Sequence, residues 1–489
     1  TSLSASIAQY SEGTDFWLTF TPKAGRADDD SLSLAIASRA GATVTVTATT
    51  GKGSTASPME TTLTLAPNES RIVSFPTAMM LEKDGKYLVD RNSVHVSSDN
   101  PISIHARNQN VESTDGYLAL PTMALGTEYL LVSYTSLVVI GGSFMPHVKV
   151  VATEDDTEVT FHSKGKANGG DGSAIPAGGS RSVSLKKGET TIFHGDGGIG
   201  VEIAGSRIVA SKPVAVIAGN TCSYVPDSEQ ACDHLDEMLP PVTALGQSYI
   251  LAPTKRRLPG DLVRIVASLD GTVVYRSGLV VRTLSKGQWY EYLLDAPEEL
   301  KLSRPALVAQ FLRGTNASGY PGDPAEMLVV PTAQFLSSYQ VATFQEPPIP
   351  PETEESIRLK DNYLSVVIPT GALSTLRLDD APVDVTLFYP VPGTNFSSGT
   401  LPVALGSHRL EAAVPFGLYA YGLGEYESYA VPGGMAVRNI NDVSDPFPPN
   451  ARLVTVGDEI RGLATDSSDS NANGLLDPDE AMWGAGIGP

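Results

Sequence analysis

Val96-Ser-Ser-Asp-Asn-Pro101-Ile-Ser-Ile104 reads as a β-strand interrupted by a proline, and the chain writes that pattern four times. The other copies are Val209-Ala-Ser-Lys-Pro213-Val-Ala-Val216, Leu302-Ser-Arg-Pro305-Ala-Leu-Val308 and Ala413-Val-Pro415-Phe-Gly-Leu418. A hydrophobic-Pro pair follows each: Leu120-Pro121, Leu239-Pro240, Val330-Pro331 and Val431-Pro432. Copies spaced roughly a hundred residues apart mark one supersecondary unit repeated along the chain. Nothing catalytic recurs with the copies, which argues against an enzyme.

Working outward from these runs, strand patterns dominate. Ser31-Leu-Ser-Leu-Ala-Ile36 and Thr43-Val-Thr-Val-Thr47 alternate with period two, and β-branched residues crowd them. Ala152-Thr-Glu-Asp-Asp-Thr157 and Ala267-Ser-Leu-Asp-Gly-Thr272 match as strand, tight turn, strand. Helix is expected only in short pieces such as Asp233–Met238. Each of the first three proline strands is followed by an aspartate: Asp115, Asp233 and Asp323. Leu125-Gly-Thr-Glu-Tyr129 and Leu245-Gly-Gln-Ser-Tyr249 come next, decaying to Phe335-Leu-Ser-Ser-Tyr339 in the third copy.

These signals predict an all-β chain of tandem antiparallel β-sandwich domains in a row. The units are placed at 12–137, 138–255, 256–346 and 352–436, with a linker and tail at 437–489. Gln345-Glu-Pro-Pro-Ile-Pro-Pro351 forces an extended spacer, and prolines between Asn441 and Asn450 form a second break. With 489 residues, 46 glycines and 35 prolines, the chain suits several cores of short strands joined by turns.

A net charge of −21 excludes a nucleic-acid partner, since a phosphate backbone demands basic patches. The charge keeps the chain soluble and attracts cations. No apolar run reaches the length of a membrane span. The opening Thr1-Ser-Leu-Ser-Ala-Ser6 looks like a mature end left by signal cleavage. Cys222 and Cys232, with nine residues between them, close a loop if the chain is secreted and are free thiols if it is cytosolic.

The sharpest chemical signal is Asp469-Ser-Asn471-Ala-Asn473-Gly474-Leu475-Leu-Asp477-Pro-Asp-Glu480. Oxygen ligands at Asp469, Asn471, Asn473, Asp477 and Glu480, the Leu475 carbonyl, and the turn at Gly474 match an EF-hand loop for Ca2+. Flanking helices are not evident, so an isolated calcium loop ordering the tail is expected; the bland reading is an acidic terminus that fits by chance. Asp233, His234 and Asp236 could serve as metal ligands or acid/base groups. The favoured reading is structural, with His234 hydrogen-bonded under a closed loop. The seven histidines stand singly, with no HxH or HExxH pattern. Gly169-Gly-Asp-Gly172 and Gly195-Asp-Gly-Gly198 read as loop glycines, and no pair of acids stands out for glycoside hydrolysis. The three Asn-x-Ser sequons at Asn68, Asn316 and Asn395 matter only if the source glycosylates secreted chains.

One family carries these motifs in this order. Asp115-Gly-Tyr-Leu-Ala-Leu-Pro121, Val150-Val-Ala-Thr-Glu-Asp-Asp-Thr157, Gly219-Asn-Thr-Cys222, Cys232-Asp-His-Leu235, Gly322-Asp-Pro324 and Pro415-Phe-Gly-Leu-Tyr-Ala-Tyr-Gly422 resemble the N-terminal domain of the IgG-Fc-binding protein family, over roughly residues 13–436. The resemblance implies a secreted or surface β protein, here a bacterial member, that is non-enzymatic and has Cys222 bonded to Cys232. It transfers no immunoglobulin contact residue. The expected function is an extracellular structural or adhesive protein acting through protein–protein contacts, self-assembly into a filament or coat included. Two other classes stand beside it: a module recognising a glycan or a host protein such as immunoglobulin, and a carbohydrate-active hydrolase.

Overall fold

The computed structural model describes residues 10–24, 31–50, 57–76, 88–110, 113–139, 142–344, 359, 361–424, 427–440, 451–456 and 459–464. The linker prolines at 345–351 and the break at 441–450 lie outside these. The chain divides into two compact units, residues 1–438 and 439–489. Within the second, Ala451–Val456 and Glu459–Ala464 pair as an antiparallel hairpin.

Residues 1–438 hold four successive antiparallel assemblies whose strands span 13–118, 126–238, 246–328 and 336–432. The first shows the plan. Its strands are β1 (Gly13–Leu18), β2 (Ser31–Ser38), β3 (Ala42–Thr50), β4 (Ser57–Leu65), β5 (Glu69–Phe75), β6 (Ser93–Asn110) and β7 (Ser113–Leu118). The long β6 serves two sheets. Its first half pairs with β1 and β3, and β3 with β4; its second half pairs with β2 and β7, and β2 with β5. The two sheets face each other across buried Phe16, Val44, Val46, Leu34, Ile36 and Ile104, so each unit is a small sandwich.

The repeated proline sits where the long strand changes sheet. Pairing to β3 ends at Ser98 and pairing to β2 begins at Ser103, with Pro101 between. Proline has no N–H to give a ladder, so the strand leaves one sheet there without an orphaned donor. Pro213, Pro305 and Pro415 occupy the same point in the long strands Arg207–Tyr224, Glu298–Leu312 and Ser407–Gly424. The crossover is tied down from two sides. Ser38, Thr153 and Ser268 hydroxyls donate to the carbonyls of Pro101, Pro213 and Pro305. The tyrosine of each Leu-Gly-x-x-Tyr motif spans the other side. Tyr129 Oη accepts from Gly126 N (2.7 Å) and donates to Val214 O (2.6 Å). Tyr249 links Gly246 N to Ala306 O (2.6 Å), and Tyr339 links Leu336 N to Phe416 O.

The second landmark packs on the start of its own unit, through Pro121 and Pro331 and, in the second unit, through Pro241, one residue past the Leu239-Pro240 pair. A Cβ at Gly13, Gly126 or Gly246 would lie 2.4, 2.6 or 2.2 Å from Cβ of Pro121, Pro241 or Pro331, so only glycine admits the proline ring. A 3-10 turn then opens the next unit, at Thr122–Ala124, Val242–Ala244 and Thr332–Gln334. Cys232–Met238, expected to include a short helical piece, is a strand paired with the second half of Arg207–Tyr224. Its helix-forming side chains are overridden by that ladder and by burial of six of its seven residues.

Candidate functional site

Each long strand turns back into a short return strand: β7, Cys232–Met238, Ala325–Leu328 and Glu427–Pro432. Each return strand packs on that of the next unit, and the fourth packs on the first. The succession of sandwiches therefore closes on itself around a buried axis. A buried cation repeats at three of its four junctions, donating to a carbonyl just beyond the first strand of the preceding unit. Lys149 donates to Phe20 O (2.9 Å), Arg264 to Ser133 O, and Arg107 to Thr343 O (2.8 Å). Lys149 and Arg264 come from equivalent strands, whereas Arg107 comes from β6, in register opposite Ser33 of the strand that would otherwise supply it. Arg264 has two carboxylate partners. It pairs with Glu202 (2.6 Å) and Glu291 (2.9 Å) and lies over the Tyr134 and Trp289 rings. Between units three and four, Lys255 N donates to Tyr421 Oη (2.8 Å) and Arg257 reaches Ser428 Oγ (3.0 Å).

The axis is lined with carboxylates. Asp115 Oδ2 accepts from Asp236 N (3.3 Å) and Glu326 N (3.1 Å), joining three units through one side chain. Its Oδ1 accepts from Gly116 N (2.9 Å). Asp233 Oδ1 accepts from Thr114 N (2.9 Å), and Glu237 Oε1 from Leu328 N (2.9 Å). Burial raises all of them: Asp115, Asp233 and Glu237 lie well above the ordinary carboxylate range. Glu326 is pushed up to about 8 and Asp323 to about 6, in both cases chiefly by burial. Protonation is the cheap way to hold so many acids in a medium of low dielectric.

His234 lies fully buried beside them. Its Nδ1 faces Asn220 O (2.9 Å) and its Nε2 meets Asn108 Nδ2 (3.2 Å) and Thr21 Oγ1 (3.3 Å), with Asp236 at 3.6 Å. Asn220 O can only accept, so Nδ1 donates to it. Asp233, His234 and Asp236 are thus brought together, but as hydrogen-bonded links between units one and two. Cys222 and Cys232 form a disulfide with Cα atoms 5.4 Å apart, closing the loop above them. That loop touches the turn of unit three, where Gly314 N donates to Val225 O (3.0 Å). The six calcium-loop positions, Asp469 to Glu480, lie outside the described residues.

On the surface, a shallow hollow of about 360 Å³ in unit four is lined by Ser337, Ser338, Thr375, Arg377, Glu411, Ala412 and Ala413. Its carboxylate, Glu411, is already paired with Arg409 (3.1 Å). A glycoside-cleaving pair needs two acids, so this lining does not supply one. No helix among the described residues is long and apolar enough to cross a membrane. The feature that sequence reasoning missed lies on the rim: Leu279 is 72% and Val280 62% exposed on a sheet-edge strand. The two-residue Ser277-Gly278 turn between two hydrophobic runs signals the hairpin, but its exposure is not a local property.

Against known proteins, the model of the family described as IgGFc binding protein matches residues 115–422. The IgGFc-binding protein of Homo sapiens is 27% identical over 387 residues, covering 77% of this chain. The chain spans 7% of that relative's length. The family match starts at Asp115 on the axis and ends at Gly422 in the last long strand.

Proposed function

We propose, from the premise that the chain belongs to the IgGFc binding protein family, that it is an extracellular protein acting by protein–protein contact rather than by chemistry. The observation that carries this reading is where the recurring residues go. The prolines, tyrosines, glycines and axial acids are consumed in closing four sandwiches on one another, and a run of exposed apolar side chains, Leu279 to Val281, lies on a sheet-edge strand. A cystine supports an oxidising, secreted or surface location. Within this reading the chain presents its rim to further copies of itself, as an element of a filament or coat. Calcium held by Asp469, Asn471, Asn473, Leu475, Asp477 and Glu480 orders the tail.

Electron microscopy and sedimentation of the purified full chain, with calcium and with chelator, test the proposal. Concentration-dependent assemblies are expected, and discrete monomers in both conditions overturn self-assembly. Calorimetric titration with calcium is expected to lose its binding signal in Asp469→Ala; equal titration of both proteins removes calcium from the reading.

A second reading has its own support in the relative's name. A direct binding assay against purified immunoglobulin Fc separates it, because saturable binding favours a ligand-recognition module over a structural one. Glycan recognition is tested in parallel on immobilised oligosaccharides.

A further inference from the structure

The four units share one plan, so their outermost strands can be compared at equivalent positions. In each, the strand that pairs with the first half of the long strand has one further neighbour, which ends the sheet: β4, Ser180–Leu185, Leu279–Leu284 and Ala381–Pro382. Two of these edges are blunted. Ser180–Leu185 packs Val183 and Leu185 inward and shows serines outward. Ala381–Pro382 is two residues long and ends in a proline, which cannot offer a ladder N–H. Both are devices that keep an edge from pairing with another chain.

The other two edges run over nine and six residues, and although β4 carries Pro58 near its start, Met59 to Leu65 keep their ladder N–H groups. Leu279 through Thr283 are exposed at every position, so both faces of the strand meet water. Pro58 through Thr62 of β4 are likewise exposed at every position, Met59 among them. These edges belong to units one and three, which lie diagonally across the axis, each flanked by units two and four. Their charges are opposite. The described charge on the first is Glu60, and on the second Arg282. The same contrast holds for the whole units: residues 246–344 carry ten Lys/Arg against eight Asp/Glu, whereas 13–121 carry nine against twelve. Units two and four are more acidic still, with eight against fourteen over 126–241 and five against eleven over 336–438. Unit three is the one basic unit of a chain whose net charge is −21.

We propose that the Leu279–Leu284 edge of one copy pairs with β4 of a second copy, extending a sheet across the contact by strand addition. This rests on the self-assembly reading above and deepens it by naming the two surfaces. The contact is heterologous, and because its halves lie on opposite sides of the ring it leaves both outer edges free, so copies add head to tail. Main-chain hydrogen bonds supply the adhesion; Arg282 opposite the acidic edge at Glu60 selects unit one over a second unit-three edge. A contact one short strand wide is weak on its own, so assembly follows protein concentration and fades with salt.

The test uses the full chain and sedimentation velocity across concentration, with negative-stain microscopy and a circular-dichroism check of folding. Both charge positions are exposed and away from the core, so Glu60→Lys and Arg282→Glu fold as the parent does. Each reversal alone is expected to lower the association constant about tenfold, a like-charge pair replacing an attractive one. The double variant regains it, and so does an equimolar mixture of the two single variants, which pair alternately. Loss of assembly in Arg282→Glu with none in Glu60→Lys overturns the proposal in favour of two unit-three edges meeting symmetrically. Assembly indifferent to both reversals overturns it and leaves self-assembly intact, whereas monomers at all concentrations reject the self-assembly reading itself.

Discussion

The axis and the rim invert the usual distribution of polar and apolar groups. At the axis, Asp115, Asp233, Asp236, Glu237 and Glu326 are fully enclosed, while at the rim Leu279, Val280 and Met59 stand in water. The acids survive burial because each unit needs acceptors for backbone N–H groups of its neighbours, and a carboxyl side chain can reach across where a ladder cannot. The apolar rim survives because its strands are edges with a sheet on one side only. The contrast teaches that closure consumes the polar groups inside and leaves the hydrophobic surplus outside, where a partner can use it.

The contrast is broken most severely by Asp115→Leu. Three backbone N–H donors lose their acceptor inside the axis, and a loss of about 3 kcal/mol in unfolding free energy is expected by urea titration. Replacing Cys222 and Cys232 with serine opens the loop over the axis and is expected to cost about 2–3 kcal/mol, read in the same titration.

Proton linkage sharpens the comparison. Glu326 in the folded chain holds its proton to about 8, above its ordinary 4.5, so the folded state binds more protons between those values. Stability contributed this way is complete below the unfolded value and is lost as pH rises through the folded one. His105 works oppositely: burial depresses it to about 4, so stability falls as pH drops from 6.5 toward that value. Between pH 4.5 and 6.5 the two slopes oppose each other, and above 6.5 the Glu326 decline stands alone. Thermal unfolding is therefore expected to become easier as pH rises from 6.5 toward 8. Glu326→Gln should remove up to about 1.4 kcal/mol per pH unit of the decline toward pH 8. An unchanged slope would reassign the proton to another axial acid.

Smaller effects are expected farther out. Tyr249→Phe deletes the hydroxyl bridge beside Pro305 and should cost about 1 kcal/mol. Unit one already has Phe16 at the matching place, paired in register opposite Val96, so its crossover holds without a tyrosine bridge. Val280→Ser at the rim should change stability by less than about 0.5 kcal/mol while weakening assembly, which would separate the two regions by function.

Much of the unit was legible before any coordinates. A proline in an otherwise regular strand run can only mark a place where pairing lapses, and here it marks the change of sheet. Gly126-Thr-Glu-Tyr129 was visible as a motif, but its partner Val214 O lies 85 residues away, so its role as a brace was not. Asp115, Asp233 and Asp323 stood out as recurring acids, and nothing local says that Asp115 and Asp233 accept from the backbone of neighbouring units. Asp233–Met238 misled because glutamate, methionine and leucine favour helix in isolation, whereas a ladder partner decided the matter.

What the amino-acid order determined by itself is the unit: period-two runs bury one face, turns fall at Asp and Gly, and a missing N–H sets the crossover. What only the tertiary structure decided is closure and exposure. Arg107 reaches Thr343 across 236 residues, and Leu279–Leu284 ends its sheet because no later strand among the described residues pairs with its free edge. Hydrogen bonding within a strand pair is a local matter of spacing, but which edges are left over depends on every other element having found its place.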